Sequence, residues 1–94
     1  MARSLLTPDE IAARLPSIPA WSLTGDRLER SWTFRDFAEA LAFINRVGAV
    51  AEATDHHPDI RNSWNRVTLS LTTHDRGGIT SKDIDLAKRI DRLE

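Results

Sequence analysis

The three histidines of this chain stand in two short stretches. His56 and His57 follow Glu52 and Asp55 and are closed by Pro58, while His74 follows Thr72 and Thr73 and precedes Asp75. Imidazole is the side chain whose ordinary pKa lets it take and release a proton near neutral pH. A helical pattern runs into the first stretch and a strand pattern into the second, so both are element ends, where a rigid scaffold presents polar groups to a ligand. The chemistry these residues suggest is general acid–base catalysis, with His56, His57 and His74 as the catalytic candidates.

Other readings of the same residues are weaker. Three neutral imidazoles can hold zinc, but adjacent histidines rarely chelate one ion together and no His-x-His or His-x3-His pair occurs, so no metal ligands are assigned. No serine sits on a strand-to-helix elbow, which leaves a Ser/His/Asp triad without a nucleophile. Glu52 lies one helical turn before His56 and reads as its i,i+4 partner, with positioning of that ring as the functional alternative. Asp83, three residues after Thr80, reads first as the carboxylate that completes a helix cap. Trp64 reads as a core or rim aromatic that could also stack on a flat heterocycle.

The elements that would hold these residues follow from local signals. Thr7, Pro8 and Glu10 form a helix start of the capping-box type, with Ile11 and Leu15 on its apolar side and Pro16 and Pro19 beyond its end. Trp21 and Leu23 share a face of a short strand, and Gly25 and Asp26 mark a turn. From Arg27 to Phe34, Leu28, Trp32 and Phe34 alternate with polar residues as in a half-buried antiparallel strand. Arg30 falls on the apolar face, which suits a position near a sheet edge. From Asp36 to about Thr54 the period changes to that of a long amphipathic helix. Phe37, Leu41, Ile44, Gly48 and Ala51 form one row, and Phe43, Val47 and Val50 a second beside it. Pro58 stops this helix and pushes His57 toward extended backbone. Asp59 to Asn65 reads as a turn or short strand containing Trp64. Arg66 to Thr73 alternates again, with Val67, Leu69 and Leu71 inward and Thr68, Ser70 and Thr72 on a face that can be solvated. Gly77 and Gly78 break the chain, and Thr80 caps a last helix whose buried side is Ile84, Ala87, Ile90 and Leu93. Short-turned strands and one-sided helices in this order argue an α+β fold, an antiparallel sheet with helices on one face.

Composition narrows the function classes. At 94 residues the chain is expected to be a single domain spanning 1–94, small enough to gain from self-association. A net charge of -1 gives no bulk electrostatic case for nucleic acid or anionic lipid. The absence of cysteine excludes disulfides and thiolate chemistry and fits a cytoplasmic protein. No apolar run of signal-peptide or membrane-span type occurs.

The spacing of Glu52, His56, His57, Pro58, Trp64, His74 and Asp83 resembles the signature of the pterin-4a-carbinolamine dehydratases, also called 4a-hydroxytetrahydrobiopterin dehydratases. The resemblance runs from the Leu6–Glu10 opening through Trp21 and Phe34–Phe37 to Asp83–Ala87. Two positions depart slightly, Trp64 where aromatics of any kind occur and Asp75 where glutamate is common. The resemblance implies a four-stranded antiparallel sheet with three helices packed on one face, assembled as a homodimer or homotetramer through joined sheets or packed helices. It implies loss of water from a 4a-hydroxytetrahydropterin to give the quinonoid dihydropterin, recycling the tetrahydrobiopterin used by aromatic amino-acid hydroxylases. It implies no metal and no organic cofactor. Carried onto this sequence, Asp55, His56, His57, Thr72, Thr73, His74 and Asp75 would line the pterin site, supported by Glu52, Trp64 and Asp83. An aromatic amino-acid hydroxylase or a transcription regulator is the partner it suggests. The alternative function is a non-catalytic dimerisation module acting on a partner protein, which would have no use for the three histidines.

Overall fold

Leu28 and Trp32 on one strand, and Val67, Leu69 and Leu71 on its neighbour, put five large apolar side chains on the same side of a sheet, and every one is buried. In the computed structural model, which describes residues 4–93, this face carries the core. Residues 1–3 and 94 of the expected 1–94 domain lie outside the described residues. The elements in chain order are α1 (Pro8–Arg14), β1 (Ser22–Thr24), β2 (Arg27–Thr33), α2 (Phe37–Thr54), β3 (Asp59–Ser63), β4 (Arg66–Leu71) and α3 (Ser81–Asp91). A short 3₁₀ turn at Leu15–Ser17 takes up Pro16 after α1. The sheet is antiparallel throughout, with strand order β1-β2-β4-β3. Ile11 from α1, Phe43 and Val47 from α2, and Ile84, Ala87 and Ile90 from α3 close over the same face in one continuous cluster. This is the expected α+β arrangement of four strands and three helices.

Both helix starts read from the sequence are present. Thr7 Oγ1 accepts from the Glu10 N–H at 3.1 Å, and Glu10 Oε1 accepts from the Thr7 N–H at 2.8 Å. That backbone hydrogen bond from Thr7 is the main reason the Glu10 carboxyl lies below the usual carboxylate range. Thr80 and Asp83 form the same reciprocal box at the start of α3.

Arg30 meets its expectation: it pairs with Leu69 of β4, but β1 reaches only to Glu29, so the other flank of β2 is a sheet edge from Arg30 onward. It is tolerated on the apolar face because its Nη1 donates to Asp91 Oδ1 at 2.6 Å and its guanidinium lies 4.6 Å from the Trp32 ring centroid. Several other local expectations are corrected. In α2 the buried row is Ala40, Phe43, Val47 and Ala51, leaving Phe37 and Leu41 exposed at its flank. Trp21 is buried, but Leu23 on the edge strand β1 is exposed. The opposite sheet face is less open than its composition suggests, because Ser70 and Thr72 are both buried. Arg27 donates to the Ser70 hydroxyl at 3.0 Å, and Thr72 donates to the Asp26 carbonyl at 2.9 Å.

Trp64 departs furthest from its reading. It occupies the two-residue turn between β3 and β4, with φ 50, and is 66% exposed. Asn62 Nδ2 holds the turn by donating to the carbonyls of Trp64 and Arg66.

Candidate active site

The helix that carries His56 ends in a way that aims it. Asp55 takes the left-handed conformation, φ 51 and ψ 42, that glycine usually supplies after a helix and that aspartate tolerates better than most residues. The His56 N–H then donates to the Ala51 carbonyl at 3.1 Å and the Asp55 N–H to that of Glu52 at 3.4 Å, a Schellman closure. The reversal turns the His56 ring toward the first turn of α3. There its Nε2 lies 2.6 Å from Asp83 Oδ1, with the His56 side chain only 10% exposed and Asp83 not at all.

Asp83 is the hub of a buried polar network. Its Oδ2 accepts from the Thr73 hydroxyl at 2.8 Å and from the Thr80 N–H at 2.9 Å, and the hydroxyls of Thr73 and Thr80 are 2.8 Å apart. The capping role read from the sequence is therefore present, and the same carboxylate fixes an imidazole with its other oxygen. A buried carboxylate with all its neighbours hydrogen-bonded is a rigid support.

Glu52 does not pair with His56. With the helix closed at Asp55, His56 leaves toward α3 and His57 swings back over the last turn, so Glu52 Oε2 contacts His57 Nε2 instead. Both groups are exposed, His57 by 55%. The third imidazole, His74, follows β4 in the bridge and turn at Thr73–Gly78, where the Thr73 N–H donates to the Gly78 carbonyl at 2.8 Å. Its Nε2 is 3.8 Å from Asp59 Oδ1, in ion-pair range, and its side chain is 63% exposed.

Each of the three rings thus directs Nε2 at a carboxylate from a different element. A carboxylate accepts only, so the hydrogen bonds of His56 and His57 favour their Nε2–H tautomers, whereas His74 faces Asp59 at ion-pair distance. Among the described residues no three His, Cys, Asp or Glu side chains gather as a metal-holding group. The open cleft between these elements is about 240 Å³ and is lined by Asp55, His56, His57, Thr73, His74, Asp75 and Lys82.

Six of the seven residues expected to line a site are brought together here; Thr72 is not, since its side chain turns to Asp26. Trp64 lies at the far end of β3 from Asp59, roughly 16 Å away at about 3.3 Å per residue, so it does not reach this cleft. Two participants are absent from the sequence reading. Asp59 directly follows Pro58, a position that pointed to it. Lys82, in the first turn of α3, had no signal beyond adjacency to Asp83 and looks like any solvated lysine.

Comparisons with known proteins agree in direction. The profile of the family described as pterin 4 alpha carbinolamine dehydratase matches residues 4–93. A protein of Thermosynechococcus vestitus, provisionally named as such a dehydratase, is 57% identical over 88 residues, covering 94% of this chain and 93% of that one. A protein of Acidobacterium capsulatum with the same provisional name is 51% identical over 88 residues, 94% of this chain and 96% of its own. Among solved structures, a transcriptional coactivator/pterin dehydratase from Brucella melitensis superposes with a TM-score of 0.91 at 33% identity, covering 96% of this chain and 98% of that one. A pterin dehydratase-like protein described as a RuBisCO assembly factor in the alpha-carboxysome shares the fold, with a TM-score of 0.65 at 23% identity over 78% of this chain and 84% of that one. The chain belongs to the pterin 4 alpha carbinolamine dehydratase family, a family of hydro-lyases.

Proposed function

We propose that the histidine cleft dehydrates a 4a-hydroxytetrahydropterin to the quinonoid dihydropterin by imidazole acid–base catalysis, in tetrahydrobiopterin recycling for aromatic amino-acid hydroxylases. The observation that carries this reading is the convergence of three histidine–carboxylate pairs on one cleft. The carbon–oxygen bond at C4a breaks as the departing hydroxyl takes a proton from one group and leaves as water. The ring nitrogen beside that carbon supplies the electron pair that expels it and gives up its own proton to a second group. Two imidazoles suit both transfers near pH 7. The substrate's own nitrogen provides the driving force, so the reaction requires no metal or organic cofactor.

In this reading His56 and His74 carry the proton transfers, while His57 binds and orients the pterin. His56 is the ring held most firmly, which supports a role in which angle and distance matter. Thr73, Asp55 and Asp75 complete the lining, and Lys82 adds a cation at the rim. Stopped-flow dehydration assays test the assignment. His56→Ala and His74→Ala each lower turnover by at least about tenfold, the low end of which reflects partial replacement by the other imidazole or by water. The double variant loses less than the product of the singles, because groups acting as a unit are not additive. His57→Ala mainly raises KM. Near wild-type turnover in both His56→Ala and His74→Ala would sink the assignment.

A second reading, a non-catalytic module acting on a partner protein, draws on the coactivator half of the Brucella relative's description and on the exposed Phe37 and Leu41. The same assays separate the two. A scaffold turns over no pterin, and its partner binding is indifferent to His56 and His74.

A further inference from the structure

Asp59 opens β3 on the sheet face opposite the helices, with Ser70 of β4 as its cross-strand partner. Its two oxygens face different ways. Oδ2 accepts from Arg27 Nη1 at 2.6 Å, and Oδ1 lies 3.8 Å from His74 Nε2. The same Arg27 nitrogen lies 3.0 Å from Ser70 Oγ, itself 9% exposed, so Arg27 spans from β2 over β4 to β3 and grips Asp59 from across the sheet. The hydrogen bond to Asp59 is the main reason the Arg27 guanidinium lies above its ordinary range. Pro58 on the other side restricts the backbone that enters β3. Asp59 is therefore a carboxylate aimed before any ligand arrives. The turn that carries His74 is held by its own backbone hydrogen bonds, but the His74 side chain is exposed, in contrast to His56 with its buried partner.

We infer that Asp59, anchored by Arg27, is the positioning residue for His74: it holds the ring with Nε2–H toward β3 and presents Nδ1 to the pterin. The inference rests on the dehydratase reading for its effect on rate, but the ring orientation is a property of the protein alone. Partners that orient a functional imidazole typically change activity by about tenfold or more when removed, as metal-site histidines illustrate. Here the pair is exposed and the effect is correspondingly smaller.

The test uses Asp59→Asn, Arg27→Gln and Asp59→Glu on the full chain, with nitrogen-15 NMR of the His74 ring and dehydration kinetics as separate readouts. In Asp59→Asn the His74 ring shifts away from the Nε2–H tautomer and turnover falls about three- to tenfold with KM within about twofold of the parent. Arg27→Gln gives the same change in smaller degree, and Asp59→Glu restores most of the tautomer preference. In a His74→Ala background Asp59→Asn has no further effect on turnover. An unchanged His74 tautomer in Asp59→Asn, or an undiminished loss in the His74→Ala background, would overturn the inference. Were the parent protein inactive toward every pterin carbinolamine, the dehydratase reading would fall, and the NMR arm would still decide the link between Asp59 and His74.

Discussion

His56 Nε2 lies 2.6 Å from Asp83 Oδ1, and the other oxygen of that carboxylate closes the first turn of α3. One buried group thus ties the end of α2, the start of α3 and the Thr73 bridge together, so the stability of the fold and the geometry of the site share a residue. Asp83→Ala would leave the Thr80 N–H and the His56 ring without this acceptor in a buried place. It should cost about 2–4 kcal/mol of folding stability and also lower turnover, because an orphaned buried polar group carries its desolvation penalty. Asp83→Asn keeps one carbonyl acceptor and should lose less stability while still losing rate. Urea unfolding with an unchanged m-value, run beside the kinetics, checks both, and wild-type stability in Asp83→Ala would refute the hub.

Much of this was legible in the sequence because it rests on local signals. The capping boxes at Thr7 and Thr80, the helix stop before Pro58 and the inward row of Val67, Leu69 and Leu71 are each decided within a few residues. What was illegible depends on long-range geometry. Whether Glu52 meets His56 or His57 is settled by the left-handed Asp55, which an i,i+4 rule assumes away. Arg30 could be placed at an edge from sequence, but its partner Asp91 could not, being 61 positions distant. Trp64 read as a core or rim aromatic because tryptophan is large and mostly apolar, and only the strand pairing puts it at an exposed hairpin tip. The three histidines could be grouped from sequence, but their individual carboxylates could not, apart from the hint at Asp59.

Self-association is expected from what the fold leaves uncovered. Phe37 and Leu41 on α2, and Ile60 on the edge strand β3, are large exposed apolar side chains. The protein should sediment at micromolar concentration as a dimer or larger symmetric assembly. Leu41→Glu should lower the assembly state, whereas a charge at an exposed position on a different helix, Ala12→Glu on α1, should not. A wild-type protein that sediments only as a monomer would count against this expectation.

Glu10 provides a pH-dependent contribution whose sign can be worked out. Its carboxyl is lowered in the folded state, so the stabilisation is present above the unfolded carboxylate's range and is lost as pH falls through the folded value. Glu10→Gln retains a side-chain acceptor for the Thr7 N–H and removes the titration. The stability difference between parent and variant should therefore be constant near neutral pH and shrink as pH drops below about 4. Paired urea titrations from neutral to acid pH check it, and a difference that grows on acidification would contradict the capping assignment.

Asp91 Oδ1 accepts from Trp21 Nε1 at 2.8 Å and from Arg30 Nη1 at 2.6 Å, which fastens the end of α3 to the strands beneath it. An acidic residue in the last turn opposes the helix dipole by about 0.3–1 kcal/mol, so its position here must be offset by these two donors. The Arg30 and Asp91 side chains are 17% and 27% exposed, and their pairing is consequently stronger than a surface ion pair but weaker than a fully buried one. Asp91→Ala should destabilise the fold by about 1–3 kcal/mol, since Trp21 and Arg30 both lose an acceptor. Arg30→Met alone should cost less, because the thioether chain can still cover Trp32. The double variant should cost less than the sum of the singles by about 1 kcal/mol, the signature of groups that compensate one another. Asp91 lies roughly 12 Å along α3 from Asp83, at 1.5 Å per residue, so turnover per folded molecule should not change in any of the three. Urea unfolding of the four proteins decides the matter: additive losses, or an altered turnover in Asp91→Ala, would show that the contact does not act as this clamp.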